Sequence, residues 1–262
     1  MDLWIDPGSH EGVDLGTLAA ALAIGAAVGF LGGLFGKGGS AIATPLLAAV
    51  GVPAIVAVAS PLPATIPATL LAGAAYWRAG LVDRALARTC ILVGAPATVV
   101  GAVATHWIGG GPLVTVTEIV LAGLGLRVLL NPHDPHEVAR ELAHPEVVAV
   151  AVALVVGLAS GLLANSGGFL LAPLFVVALR LPIKEAFGTS LVVAGALAVP
   201  GTVVHAALGH VDWALTAAFA AGSIPLAQVG VATALRTAGH RIERVYGVAI
   251  TLLAVGLLVA GA

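Results

Sequence analysis

From about Leu15 onward the chain is a succession of apolar segments, and their lengths limit what it can become. They run roughly over 15–35, 40–51, 53–77, 89–108 and 113–130, then 147–163, 169–180, 183–206, 213–235 and 245–261. Most approach the ~20 residues that an α-helix needs to cross ~30 Å of hydrocarbon. Only 9% of the 262 residues are charged and the mean hydropathy is +1.09, whereas about a quarter of the residues in a soluble domain are charged. The pattern predicts an all-α polytopic membrane bundle in contact with the lipid bilayer. A β-barrel would alternate polar and apolar side chains, and these segments do not.

Other classes fall away on composition and motif. The first 36 residues hold no Lys or Arg but include Asp2, Asp6, Glu11 and Asp14. A secretory signal needs a basic start, so the N-terminus is expected to be retained. Cys90 is the single cysteine, which excludes an internal disulfide or a Cys-based metal cluster. A net charge of −2 without a basic stripe gives no reason to expect nucleic acid. GLFGKGG imitates the end of a phosphate-binding loop, but Leu31 stands where the glycine is required and Gly38 follows Lys37 in place of Ser or Thr. G-x-S-x-G, H-E-x-x-H and paired intramembrane aspartates do not occur, so neither catalysis nor a cofactor is expected.

The chain also matches itself. At an offset of 128 residues Gly29, Gly33, Leu34, Gly39, Pro45 and Leu46 fall on Gly157, Gly161, Leu162, Gly167, Pro173 and Leu174. At an offset of 129 the run Gly-x-Val-Asp-x-Ala-Leu at 80–86 falls on 209–215, and Pro53 and Pro96 fall on Pro182 and Pro225. Such self-similarity predicts two related halves. The expected division is an extracytoplasmic segment 1–14, a first repeat 15–130, a polar cytoplasmic linker 131–146 and a second repeat 147–262. The linker's His133, His136 and His144 lack convincing ligand spacing, and a solvated loop is the reading favoured there, with no metal expected.

Segments 40–51 and 169–180 are too short to span. Each follows a glycine-rich break, GKGGS or NSGG, and precedes a proline turn. Half-length helices at matching places in two halves are the mark of a transporter binding site. Following the chain from an outer N-terminus puts ten of the eleven basic residues on the cytoplasmic side of a plasma (inner) membrane. The basic 78–88 loop then corresponds to 207–217, which holds no Lys or Arg and lies on the opposite face. This predicts an inverted-topology repeat with broken helices at its centre, about eight spanning helices in all.

Lys37 is the basic residue that this orientation leaves unexplained. A lysine deep in the bilayer costs roughly 2.5–3.5 kcal/mol on insertion scales. Gly36, Gly38 and Gly39 would let backbone approach a ligand, and a helix starting near Ser40 would aim unsatisfied N–H groups at it. The second break offers Asn165, Ser166, Gly167 and Gly168 in the same places. The arrangement suits a small anion; the alternative is that Lys37 only snorkels to the headgroups. Ser60, Thr189 and Ser190 follow the breaks as candidate binding hydroxyls, while for Thr65 and Thr69 a bond back to their own helix is favoured. Glu118 and His205 are the candidates for proton coupling, each with an interfacial alternative.

GFLGGLFGKGGSAIATPLL with VPAIVAVAS, then GLASGLLANSGGFLLAPLF with AFGTS and the repeated G-x-V-D, resembles the sulfite exporter TauE/SafE (TSUP) family over about Leu15 to Leu258. The resemblance implies a membrane carrier of sulfur-containing anions such as sulfite, sulfoacetate or other organosulfonates. It also implies that Gly36–Ser40, Ser60, Asn165–Gly168 and Thr189–Ser190 occupy the family's motif positions. The family usually has an apolar residue in place of Lys37, and a serine in place of Pro61. The expectation is a secondary transporter working by alternating access, with an anion channel or a membrane-anchoring regulatory subunit as alternatives. Whether copies of the chain form a homo-oligomer is left open.

Overall fold

The computed structural model describes residues 14–36, 40–104, 144–162, 167–242 and 244–249, without the side chains of 40–42 and 54. Their order is α1 (Leu15–Phe35), α2 (Ser40–Ala49), α3 (Ala54–Ala59), α4 (Pro61–Arg78), α5 (Arg84–Ala104), α6 (Pro145–Leu162), α7 (Gly168–Val177), α8 (Ile183–Ala207) and α9 (Trp213–Arg236). Residues 239–242 and 244–249 are helical as well. No strand occurs among the described residues, and six of their helical segments are long and apolar enough to cross a membrane. One of these is α3 and α4 together, Ile55–Arg78, divided at Ser60 where Pro61 and Pro63 remove two N–H donors. The expected segment 113–130 and most of 245–261 lie outside the described residues.

Helix bounds follow the sequence offset closely. α2 maps onto α7 at 128 residues, and the stretch from Ala54 to Arg78 maps onto α8 at 129. The extra residue lies in the turn after α7. In the first half Gly51, at φ 90°, and Val52 close the end of α2 through Gly51 N–H to Ala48 O (3.0 Å) and Val52 N–H to Leu47 O (3.1 Å). In the second half Leu181 N–H reaches back to Phe175 O (3.0 Å), a wider turn. Arg180, at φ 56°, takes the place of Gly51 there and is the one non-glycine with positive φ among the described residues.

The repeated Gly-x-Val-Asp run is a helix-to-helix corner. Gly80 and Gly209 sit at φ 72° and 73°, the left-handed conformation that glycine adopts without strain. The first corner closes α4 with Gly80 N–H to Trp77 O (3.0 Å) and Leu81 N–H to Tyr76 O (3.0 Å). The second closes α8 with Gly209 N–H to Ala206 O (3.1 Å) and His210 N–H to His205 O (3.0 Å). This is the Schellman pattern. Asp83 and Asp212 then start α5 and α9, their carboxylates accepting from Leu86 and Leu215 N–H, each at 2.9 Å.

Packing rests on glycine because lipid tails give apolar helices little reason to leave them, so close backbone approach has to hold the bundle. Gly25, Gly29 and Gly33 of α1 face the carbonyls of Phe219, Ser223 and Ala227 of α9, and a Cβ at any of them would collide with that backbone. Gly157 and Gly161 of α6 meet the carbonyls of Gly94 and Thr98 of α5 in the offset positions. Contacts advance together along each pair, so α1 runs parallel to α9 and α6 parallel to α5. Between the pairs, α4 and α8 cross the centre antiparallel, with Gly73 against Val192, Gly195 against Leu70 and Gly201 against Leu62. α4 and α8, which the offset relates, therefore run in opposite directions.

Candidate functional site

Among the hydrogen bonds that tie one half to the other, two are related by the offset. The Ser60 hydroxyl accepts the Asp212 N–H at 3.0 Å, and the Thr189 hydroxyl accepts the Asp83 N–H at 2.9 Å. Ser60 and Thr189 are 129 residues apart, as are Asp83 and Asp212. Both hydroxyls are fully buried. Each occupies the N–H of a capping residue, one of the groups a helix start leaves unpaired.

α1 ends at Gly36 with φ 65°, and a Cβ there would run into the Phe187 backbone of α8. Ser190 donates its hydroxyl to the Gly36 carbonyl and also lies 3.0 Å from Phe187 O. Since Ser190 is seven residues into α8, the first break sits roughly 10 Å below that end of the bundle. Phe187 and Phe35 close around Tyr246, with ring centroids 4.9 Å and 5.5 Å from it, which holds the end of α1 in place. Lys37, Gly38 and Gly39 lie outside the described residues, as does the side chain of Ser40, where α2 begins.

In the second break Gly167 has φ 67° and caps α7, its Cα packed where a Cβ would strike Val156. Gly168 is buried at the helix start. Asn165 and Ser166 lie outside the described residues, as does Glu118. The structure thus brings Gly36 and Ser190 together and pairs Ser60 and Thr189 with the corners of the opposite half.

One turn along α1 from the first break, a cavity of about 20 Å³ opens between α1, α4, α8 and α9. That is room for about one water molecule. Gly29 and Gly33, Thr65 and Thr69, Leu191 and Ser223 are among the residues around it. Thr69 donates to Thr65 O (2.7 Å) and Thr65 to Pro61 O (3.1 Å). The sequence favoured this back-bonding, and it leaves only lone pairs for a ligand. Ser223 differs: its hydroxyl is buried and makes no hydrogen bond. The offset puts Ala194, Ala198 and Gly94 at the matching positions, so the hydroxyls gather in one of two related places. The sequence reading missed Ser223; its signal was a hydroxyl two residues before Pro225, at the middle of a spanning segment.

His205 lies near the far end of α8, 2% exposed, with Nδ1 3.1 Å from Nδ1 of His210. His210 is in the turn beyond, where burial lowers its pKa from 6.5. Charge divides the two ends sharply. Every described Lys and Arg (Arg78, Arg84, Arg88, Arg180, Lys184, Arg236, Arg241 and Arg244) lies at the end holding Asp83 and Thr189. Lys184 Nζ donates to Leu235 O (3.0 Å), which places a cation at the negative end of α9. The Ser60 and Asp212 end carries none of them.

Comparison with known proteins agrees with this architecture. The sulfite exporter TauE/SafE family model matches residues 21–257. A "probable membrane transporter protein" of Xylella fastidiosa (strain 9a5c) is 30% identical over 256 residues, covering 91% of this chain and 94% of that one. A "probable membrane transporter protein YjnA" of Bacillus subtilis (strain 168) is 25% identical over 221 residues, covering 79% of this chain and 86% of its own. No solved structure matches significantly. With the family model covering most of a helical bundle that has six membrane-length segments, the chain belongs to the sulfite exporter TauE/SafE family of membrane transporters.

Proposed function

We propose that this transporter is a secondary carrier of a small sulfur-containing anion, sulfite or an organosulfonate, moved by alternating access between two inverted halves. The observation that carries the reading is the Gly36–Ser190 contact. A helix of one half breaks within the bundle, and a hydroxyl of the other half holds the broken end. Movement of the α1–α9 pair against α8 would make and release this contact, as expected where discontinuous helices meet an inverted partner. The adjoining cavity with Thr65, Thr69 and the unpaired Ser223 supplies polar groups at mid-depth.

The sign of the cargo follows from the sequence around the break. Lys37 follows Gly36 directly and α2 begins at Ser40, so a cation and a helix N-terminus belong to one short stretch. The basic end is the cytoplasmic one by the positive-inside rule, which puts the start of α1 and the 207–212 turn outside the plasma membrane. Thermal unfolding of the purified protein with and without sulfite tests the binding half of this reading. Stabilisation by sulfite that Lys37→Met removes is expected; equal stabilisation of both proteins contradicts it.

A further inference from the structure

The two Schellman corners differ in one chemical respect. In this motif the residue after the left-handed glycine meets the residue five positions before it, ordinarily through apolar contact. The first corner has Tyr76 and Leu81 in those two places, and the second has His205 and His210. The backbone hydrogen bonds are the same in both, so the fold has no need of imidazole in this place.

The two rings lie with centroids 5.4 Å apart and Nδ1 atoms at 3.1 Å. At that distance one Nδ1 carries a hydrogen and the other offers its lone pair. Nε2 of His205 is buried and makes no hydrogen bond. Asp212, two residues beyond His210, carries the carboxylate of this corner, and that carboxylate accepts from Leu215 N–H. Ser60 at the α3–α4 junction faces this corner and does not titrate. The described residues supply no third ligand for a metal here.

We infer that His205 and His210 form a proton-binding site at the extracytoplasmic end of α8, and that its full protonation opens the corner between α8 and α9. The first proton taken up goes to an Nε2 atom and leaves the Nδ1–H···Nδ1 bond intact and charge-assisted. The second leaves both Nδ1 atoms as donors facing each other, two like charges at hydrogen-bond distance. The contact then breaks and the 207–212 turn loses its anchor. The Ser60 hydroxyl loses its Asp212 N–H, which belongs to the same turn, while the Thr216 hydroxyl on the Ser60 carbonyl (2.7 Å) keeps α9 attached. The placement of the site outside the membrane and its use in transport rest on the carrier reading; the proton site itself does not.

The first corner serves as the control within one molecule. Amide exchange of the full-length protein in nanodiscs, corrected for intrinsic rates, is followed at Gly209 and His210 and at Gly80 and Leu81 from pH 7.5 to pH 5. Protection at 209–210 is expected to fall relative to 80–81, by between about tenfold and a hundredfold for each pH unit below the onset of opening, as one or two protons are taken up. Replacing His205→Tyr with His210→Leu copies the first corner and is expected to abolish the difference; His210→Leu alone is the second variant if the double one does not fold. An equal pH response at both corners, or a difference that survives the substitutions, overturns the site. Uptake of sulfite by proteoliposomes, measured in parallel, separates the two readings. Corner opening without uptake contradicts the substrate assignment alone, and uptake without corner opening contradicts the proton site alone.

Discussion

The Ser60 hydroxyl accepts the Asp212 N–H at 3.0 Å, joining the end of α3 to the start of α9 across 152 residues of sequence. Thr189 and Asp83 repeat this bond at 2.9 Å at the opposite end of the bundle. The bond serves a helix start that the preceding Gly-x-Val corner has already positioned. Substituting Ser60→Ala leaves a partly buried N–H without its acceptor, which costs about 1 kcal/mol. Thr189→Ala is expected to match it, while Thr189→Ser keeps the acceptor and loses little. Thermal unfolding in detergent measures all three.

Gly80 and Gly209 hold left-handed backbone with open space where a Cβ would stand. Alanine at either therefore meets no clash and costs only the conformational term of about 1–2 kcal/mol. Gly29→Ala would place a Cβ against the Ser223 carbonyl and is expected to cost more, because α1 has to retreat from α9. Unfolding midpoints that rank Gly29→Ala no worse than Gly80→Ala contradict the packing account.

Ser223 separates stability from transport. Its hydroxyl is buried without a partner, so Ser223→Ala removes an unmet hydrogen-bonding need and leaves the unfolding midpoint unchanged or raises it. If the hydroxyl serves the cargo or a bridging water, uptake falls by about fivefold to tenfold, one net hydrogen bond. Equal uptake by both proteins removes the cavity from the pathway.

Burial lowers the pKa of His210 from 6.5, so the closed corner favours the neutral ring. Below pH 6.5 an open state binds more protons than the closed one, and stability therefore rises with pH in that range. The closed corner is fully stabilised above pH 6.5 and loses that stabilisation as the pH falls. A midpoint of unfolding that drops between pH 6.5 and pH 5, and drops less for His210→Leu, is the expected result.

Much of this fold was legible because an offset of 128–129 residues marks both helix ends and turns. α5 begins at Arg84, about a turn before the apolar stretch that marks it in the sequence, because Asp83 caps it and Arg84 and Arg88 ride its first turns. Hydropathy does not register such residues as helix. The partners of Ser60 and Thr189 were illegible for a different reason: each hydroxyl meets a main-chain N–H more than a hundred residues away, and main chain has no signature in sequence. His205 read as a lone histidine until the corner folded His210 back onto it. Lys37, the residue that first suggested an anion, lies outside the described residues, so its part in the site rests on its place in the sequence.

The carrier reading stands most directly on exchange. Purified protein in proteoliposomes loaded with unlabelled sulfite is given labelled sulfite outside, and the initial rate of entry is compared with that into empty vesicles. A carrier with one site alternately open to each side is expected to show saturable entry that internal sulfite accelerates, and to lose it in Lys37→Met. Entry that does not saturate, is indifferent to internal sulfite and appears as unitary currents in planar bilayers would contradict the account.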